Sequence, residues 1–271
     1  MIKCDQLPDR FIRIIDEQID IYNEGRSIQV VNRIPDTTDI PIDKPKHWLK
    51  IPDVICVFVD MKNSTKLSAS TQDKNTAGAY QLFTGTAVRL FAAFESPYID
   101  LKGDGVFALF DKNQSFRAIA AAVTFKTFAQ EVFVPTIEEK TKIEIGSHTG
   151  IDQKTVLVRK LGFKRYRGRS DRQNEVWAGK PVNMAAKLAS LSENNELIVS
   201  DRFYNNIQNN LVTKSCGCPN GEKKWLWSKL DLSDDSKFDF DLAYRLESKW
   251  CEKHGNDYCE KILALDTDDA E

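Results

Sequence analysis

The run VICVFVD, residues 54–60, is apolar and β-branched almost without interruption, the pattern of a strand covered on both faces. It predicts the first strand of the core. Ahead of it, residues 1 to about 25 carry Phe11, Ile14, Ile15, Ile19 and Ile21 at helical spacing, and the Pro- and Asp-rich stretch 34–46 reads as a linker. Behind it, 75–95 shows a long helical pattern through Tyr80, Leu82, Phe83, Val88, Leu90, Phe91 and Phe94. YIDL and GVFALF then read as a hairpin hinged on Gly103-Asp104-Gly105. The pattern goes on to predict a helix over 115–131, strands at KIEIGSHTGI and TVLVRKL, a helix over 182–191 and a closing strand ELIVS. Helices and strands alternating about a central hairpin make an α+β, ferredoxin-like sandwich rather than a doubly wound sheet. After about residue 210 the chain turns aromatic, charged and cysteine-bearing. The predicted division is therefore an N-terminal helix and linker (1–46), a central domain (47–210) and a C-terminal appendage packed on it (211–271).

Composition narrows the function classes. The 271 residues are enough to bury a substantial core. With 38 basic and 40 acidic residues the chain lacks the cationic surplus of a general nucleic-acid binder, so any affinity for phosphate is local. No apolar run reaches membrane-helix length, and MIKCDQLPDR has no signal-peptide core. The six cysteines (Cys4, Cys56, Cys216, Cys218, Cys251, Cys259) are too sparse for a secreted disulfide framework. A cytoplasmic protein with reduced thiols is the expectation.

The chemistry points to two carboxylates. Asp60 closes the buried strand and is followed by Met61-Lys62-Asn63-Ser64-Thr65, whose Asn, Ser and Thr suit the cap of a helix with outward N–H groups. Asp104 stands between glycines at a hairpin tip, where a ligand can approach without crowding. Either one alone reads as a cap or a turn residue. Together, on adjacent strand ends, they form an oxygen-ligand pair suited to Mg²⁺ or Mn²⁺.

Four segments then follow in fixed order over about 130 residues: Phe58-Val-Asp60-Met-Lys-Asn-Ser64-Thr65, Lys102-Gly-Asp104-Gly-Val-Phe107, Ile145-Gly-Ser-His148-Thr-Gly150 and Gly179-Lys-Pro-Val-Asn183-Met-Ala-Ala-Lys187-Leu. In this the sequence resembles the class III adenylate and guanylate cyclase catalytic domain over roughly residues 50–205. The resemblance implies two divalent ions on Asp60 and Asp104 with the Met61 carbonyl, and an Asn183 that orients the ribose. It also implies nucleotide contacts from Phe58, Asn63, Ser64 and Thr65, and an antiparallel homodimer in which Asp60 and Asp104 of one chain meet Asn183 and Lys187 of the other. The family's arginine is here Lys187, which cannot make a bidentate guanidinium contact. The purine-reading positions are Val176 and Asp100, and a valine cannot hydrogen-bond a base edge. With Trp177 before Ala-Gly-Lys-Pro-Val-Asn, these departures look most like the bacterial Pycsar pyrimidine cyclases. That resemblance implies a cyclic UMP or cyclic CMP synthase, UTP favoured, in antiviral defence beside a separate cyclic-nucleotide effector. A purine cyclase and a catalytically dead nucleotide- or RNA-binding module are the rival readings.

Weaker signals remain. Residues 154–172 hold eight bases (Lys154, Arg159, Lys160, Lys164, Arg165, Arg167, Arg169, Arg172) against Asp171. They read as a dimer arm, a lid reaching the triphosphate or, less readily, an RNA-binding loop; nucleic acid is not expected as a partner. Cys216, Cys218, Cys251, His254 and Cys259 have the residue types of a structural zinc site at a spacing that matches no standard finger, with buried free cysteines as the default. His148 reads as a satisfied core histidine, and Trp225, Trp227 and Trp250 as core of the appendage.

Overall fold

The structure, a computed structural model, describes residues 6–169, 172–194 and 196–266. Cys4, Asp171 and residues 267–271 of the acidic tail lie outside the described residues. The chain divides into two compact units. One comprises residues up to Ile51 with Leu157–Ala178, and the other Pro52–Val156 with Gly179 onward.

The larger unit holds Asp60, Asp104, Asn183 and Lys187. Its sheet runs in the order β3 (Tyr98–Lys102), β4 (Gly105–Phe110), β2 (His47–Lys62), β5 (Gly146–Gly162), β7 (Leu197–Ser200), β9 (Leu242–Leu246), β8 (Trp227–Asp231). Ile55, Val57 and Val59 of β2 and Val106, Ala108 and Phe110 of β4 belong to one buried cluster. Cys56, Phe107 and Leu109 on the opposite face are buried as well, which is why these strands read as unbroken apolar runs rather than alternating ones. Helices α3 (Asp73–Ala93) and α4 (Ser115–Phe128) supply the same cluster. Ala79, Phe83, Ala87 and Phe91 recur every fourth residue of α3, and Phe83 meets Phe125 and Phe133 edge-on at 5.1 and 5.0 Å.

Most predicted elements are present, with informative differences. Of the two predicted strands KIEIGSHTGI and TVLVRKL, the first starts only at Gly146 and runs on into the second as the single long β5, because Asp152-Gln153-Lys154 between them offers no Gly or Pro turn. The buried Asp152 is instead held in the strand by a bidentate bond from Arg202. Helix α2 (Ser64–Ser70), α5 (Val134–Thr141), β1 (Ser27–Val30) and β6 (Gln173–Gly179) complete the pattern. Residues 211–271, expected as an appendage, contribute β8, β9 and α7 (Gly255–Leu263); β9 pairs antiparallel with β7, and Trp227 lies in the main core. The buried Lys126 of α4 donates to the Ser248 carbonyl at 2.8 Å and Trp250 Nε1 donates to Thr124 at 2.8 Å, fixing that segment to the core. Burial lowers the Lys126 ammonium to about 8.

In the smaller unit, α1 (Asp9–Asn23) forms as its spacing predicts, with none of its residues buried. β1 pairs parallel with the start of β2, Ser27 opposite His47. The basic segment begins in the last part of β5, and beyond that strand the Phe163 N–H donates to the Arg172 carbonyl at 2.7 Å. Several of its cations are engaged: Lys164 with Asp43 at 2.8 Å, Lys160 with Glu175 at 3.7 Å, and Arg159, buried, over the Trp48 ring.

Candidate functional site

Register places the two carboxylates together. In the β2–β4 ladder Val59 faces Val106, so the next position sets Asp60 opposite Gly105, directly beside the hairpin residue Asp104. Gly105 is required for this approach. A Cβ there would sit 3.0 Å from the Phe58 ring, 3.3 Å from the Asp60 carboxylate and 3.3 Å from the Lys102 carbonyl. Asp60 and Asp104 are both half-buried.

Electrostatics make this pair unusual. Asp60 is pushed up to about 6, first by burial and then by the charge of Asp104, against a bond donated by the Met61 N–H. The neighbouring lysines do not relieve it: Lys62 binds Glu193 at 2.9 Å and Lys102 binds Asp100 at 2.6 Å. Among the described residues, no basic side chain forms an ion pair with Asp60 or Asp104. Two converging carboxylates without a protein counter-charge are a donor set that fits a divalent cation bound through oxygen.

The remaining predicted residues fall around this pair in different ways. Asn63 occupies the cap position of α2 in a left-handed conformation, but its side chain does not cap the helix; it donates to the Glu144 carbonyl at 3.2 Å. The first turn at Ser64 and Thr65 is therefore left without a side-chain cap. Phe58 pairs with Phe107 across the ladder. Asp100 is held on both oxygens, one accepting from the Leu101 N–H at 2.8 Å and the other paired with Lys102. Val176 lies half-buried on β6 in the smaller unit.

Asn183 and Lys187 lie on α6 (Lys180–Leu191), one helical turn apart. That helix is seated on β5 through Gly150, where a Cβ would fall 2.1 Å from the Ala185 carbonyl. Pro181, Met184, Ala185, Leu188 and Ala189 are buried, which leaves Asn183 exposed. Lys187 donates to the Lys237 carbonyl at 2.6 Å. Among the described residues, no hydrogen bond or ion pair joins Asn183 or Lys187 to Asp60 or Asp104 within the chain. His148 is bonded through Nδ1 to the Ser192 carbonyl at 2.8 Å and is lowered chiefly by burial, as a structural histidine would be.

Two features escaped the sequence reading. Gly105 was legible as a turn residue but not as the gap that admits the carboxylates. The network Arg202–Asp152–Asp239, extended by Lys180 at the start of α6, had no local motif because its members come from four distant segments. Of the five presumptive zinc ligands the structure gathers Cys216, Cys218, Cys251 and His254, whereas Cys259 packs against the main core.

No family model matches the chain. It is 35% identical over 236 residues to a uridylate cyclase of Micromonospora echinofusca, covering 84% of this chain and 74% of that one. It is 36% identical over 231 residues to a uridylate cyclase of Propioniciclava tarda, covering 83% and 73%. Among solved structures, the adenylyl cyclase CyaB from P. aeruginosa superposes with a TM-score of 0.58 at 14% identity over 74% of this chain and 96% of that one. The guanylate cyclase domain of RhGC from Catenaria anguillulae, in complex with GTP, superposes with a TM-score of 0.57 at 17% identity over 74% and 98%. These likenesses establish the mixed α+β fold of class III cyclase catalytic domains.

Proposed function

The chain belongs to the uridylate cyclases, enzymes of the class III nucleotidyl cyclase type, and on that premise we propose that it converts UTP to 3′,5′-cyclic UMP and pyrophosphate. The observation that carries the substrate is the 35% identity with a uridylate cyclase over most of the chain. In the reaction the ribose 3′-oxygen bonds to the α-phosphorus as the bond to the bridging oxygen of pyrophosphate breaks, and the 3′-hydroxyl proton passes to solvent.

Asp60 and Asp104, with the Met61 carbonyl, would hold divalent ions, Mn²⁺ or Mg²⁺. When bound, such ions lower the pKa of a 3′-hydroxyl and neutralise a triphosphate. Phe58 and the Asn63-Ser64-Thr65 turn, which follows Asp60 directly, would border the triphosphate. Asn183 would orient the ribose with its unengaged amide. Lys187 has three N–H donors and spends one on Lys237, so two are left for phosphate oxygens. Because Asn183 is exposed and bonded to neither carboxylate within the chain, the complete site is read as shared between two copies in a homodimer. Val176 and Asp100 are assigned to the base pocket. No helix among the described residues is long and apolar enough to cross a membrane. The same reading makes the product a cytoplasmic second messenger for a separate effector, in antiviral defence.

The test is to give the purified protein Mn²⁺ or Mg²⁺ with each of the four ribonucleoside triphosphates and identify products by mass spectrometry. Cyclic UMP is expected. A cyclic purine or cyclic CMP as the main product would overturn the substrate assignment, and nucleotide binding with no pyrophosphate release from any of the four would overturn the enzyme reading.

A second expectation concerns the hairpin. Gly105→Ala should reduce turnover by roughly 10-fold, because the new methyl displaces the Asp60 carboxylate or the Phe58 ring by a few tenths of an ångström. Circular dichroism should show the fold retained. Wild-type turnover in this variant would mean that the two carboxylates do not need their close approach.

A further inference from the structure

The sulfur atoms of Cys216, Cys218 and Cys251 and a ring nitrogen of His254 all lie within 4.8 Å of one another. His254 Nδ1 is 3.3 Å from the Cys218 sulfur and 3.9 Å from the Cys251 sulfur. A tetrahedron built from zinc–sulfur and zinc–nitrogen bonds has edges of roughly 3.5 to 3.8 Å, so these separations bracket those of a formed site. The four side chains come from two segments 33 to 38 residues apart in the chain, and none belongs to the catalytic machinery described above.

Local structure turns the ligands inward. Cys216-Gly-Cys218 forms a tight knuckle closed by a bond from the Gly221 N–H to the Gly217 carbonyl at 2.5 Å. Opposite it, Cys251 and His254 lie on a turn closed by the Gly255 N–H donating to the Cys251 carbonyl at 2.7 Å. The four cysteines outside the N-terminal segment and Cys56 have no disulfide among them. Three soft sulfurs and one imidazole gathered this closely select zinc over the hard cations suited to Asp60 and Asp104.

We propose that Cys216, Cys218, Cys251 and His254 form a structural zinc site. The ion clamps the segment before β8 to the segment after β9, closing the base of the hairpin at the edge of the sheet. Both turns border an apolar cavity of about 240 Å³. Cys259 is not a ligand.

The test uses the full chain, expressed with zinc and dialysed against metal-free buffer, with metal content measured by plasma mass spectrometry. One zinc per chain is expected, falling to near zero in Cys218→Ser and Cys251→Ser and unchanged in Cys259→Ser. Asp60→Asn should keep its zinc, which separates this site from the carboxylate pair. Should the cysteine variants fail to fold, cobalt loaded into the wild-type protein decides: a tetrahedral thiolate spectrum, with sulfur-to-cobalt charge transfer, supports the site. An octahedral oxygen-type spectrum with no thiolate charge transfer, a disulfide between Cys218 and Cys251, or reduced protein that takes up no zinc in competition with a chromophoric chelator would overturn it.

Discussion

Asp60→Asn is expected to lower turnover by on the order of 10³-fold or more while raising the melting temperature of the metal-free protein. The first effect follows from removing one of the two carboxylates proposed to hold the catalytic cations. The second follows from the electrostatics of the two carboxylates in metal-free protein. Asp60 titrates at about 6 because of burial and of the adjacent Asp104 charge. Its folded pKa lies above that of an unfolded aspartate, roughly 3.9, so between these values the folded chain binds more protons than the unfolded one. Stability of the metal-free protein should therefore fall as pH rises from about 4 to 6 and stay lower above that. An asparagine removes this penalty. Discounted for solvent screening at a half-buried site, the gain is about 1 kcal/mol, or roughly 2–4 °C in the midpoint at pH 8. Thermal melts in EDTA at pH 4 and pH 8 read it: wild type and variant should converge at the lower pH. Asp104→Asn should behave alike, since it removes the like charge that raises Asp60. A variant that retains a tenth of wild-type turnover, or that is destabilised equally at both pH values, would remove Asp60 from the metal site.

How much of this was legible beforehand depends on where the information resides. The strand 54–60, the helix 75–95 and the hairpin at Gly103-Asp104-Gly105 are set by local periodicity and turn chemistry, and each is found close to its expected place. Asp60 and Asp104 were legible because register follows from the hairpin: once β4 pairs with β2, the two carboxylates must converge. The break expected in β5 was misplaced for the opposite reason. Asp152 and Gln153 look like a polar interruption, yet Asp152 is buried by a partner fifty residues away, and nothing local signals Arg202. Asn63 shows the same limit at shorter range, since a good capping residue is diverted to the Glu144 carbonyl by its left-handed backbone. The cysteine cluster was legible only as a set of residue types. Which four converge depends on how β8 and β9 join the sheet edge, and that placed Cys259 on the core side instead.

Arg202→Met should destabilise the protein by about 3–5 kcal/mol, because it leaves the buried Asp152 carboxylate without its counter-charge. Asp152 is fully buried, and its oxygens receive the Arg202 Nε at 2.7 Å and Nη2 at 2.5 Å. The remaining fork nitrogen reaches Asp239 at 3.1 Å, where Lys180 and Lys154 also bind at 2.8 and 3.1 Å. Burial alone would raise Asp239, but those three cations hold it well below the usual carboxylate range. Its contribution to stability is therefore present above pH 4 and lost on acidification through that depressed value. Lysine at 202 would keep the charge but not the planar fork, so Arg202→Lys should fall between wild type and Arg202→Met. The double variant Asp152→Leu with Arg202→Met should recover most of the loss, since the cost lies in the orphaned carboxylate rather than in the absent pair. Urea melts of wild type, Asp152→Leu, Arg202→Met and the double variant give the cycle. A loss below about 1 kcal/mol in Arg202→Met would mean that water reaches Asp152, as for an exposed pair. The consequence for activity runs through Lys180, which opens α6 and shares Asp239 with Arg202. Weakening that anchor should loosen the start of the helix bearing Asn183 and Lys187, so Arg202→Lys should lower turnover more than it changes the affinity for nucleotide.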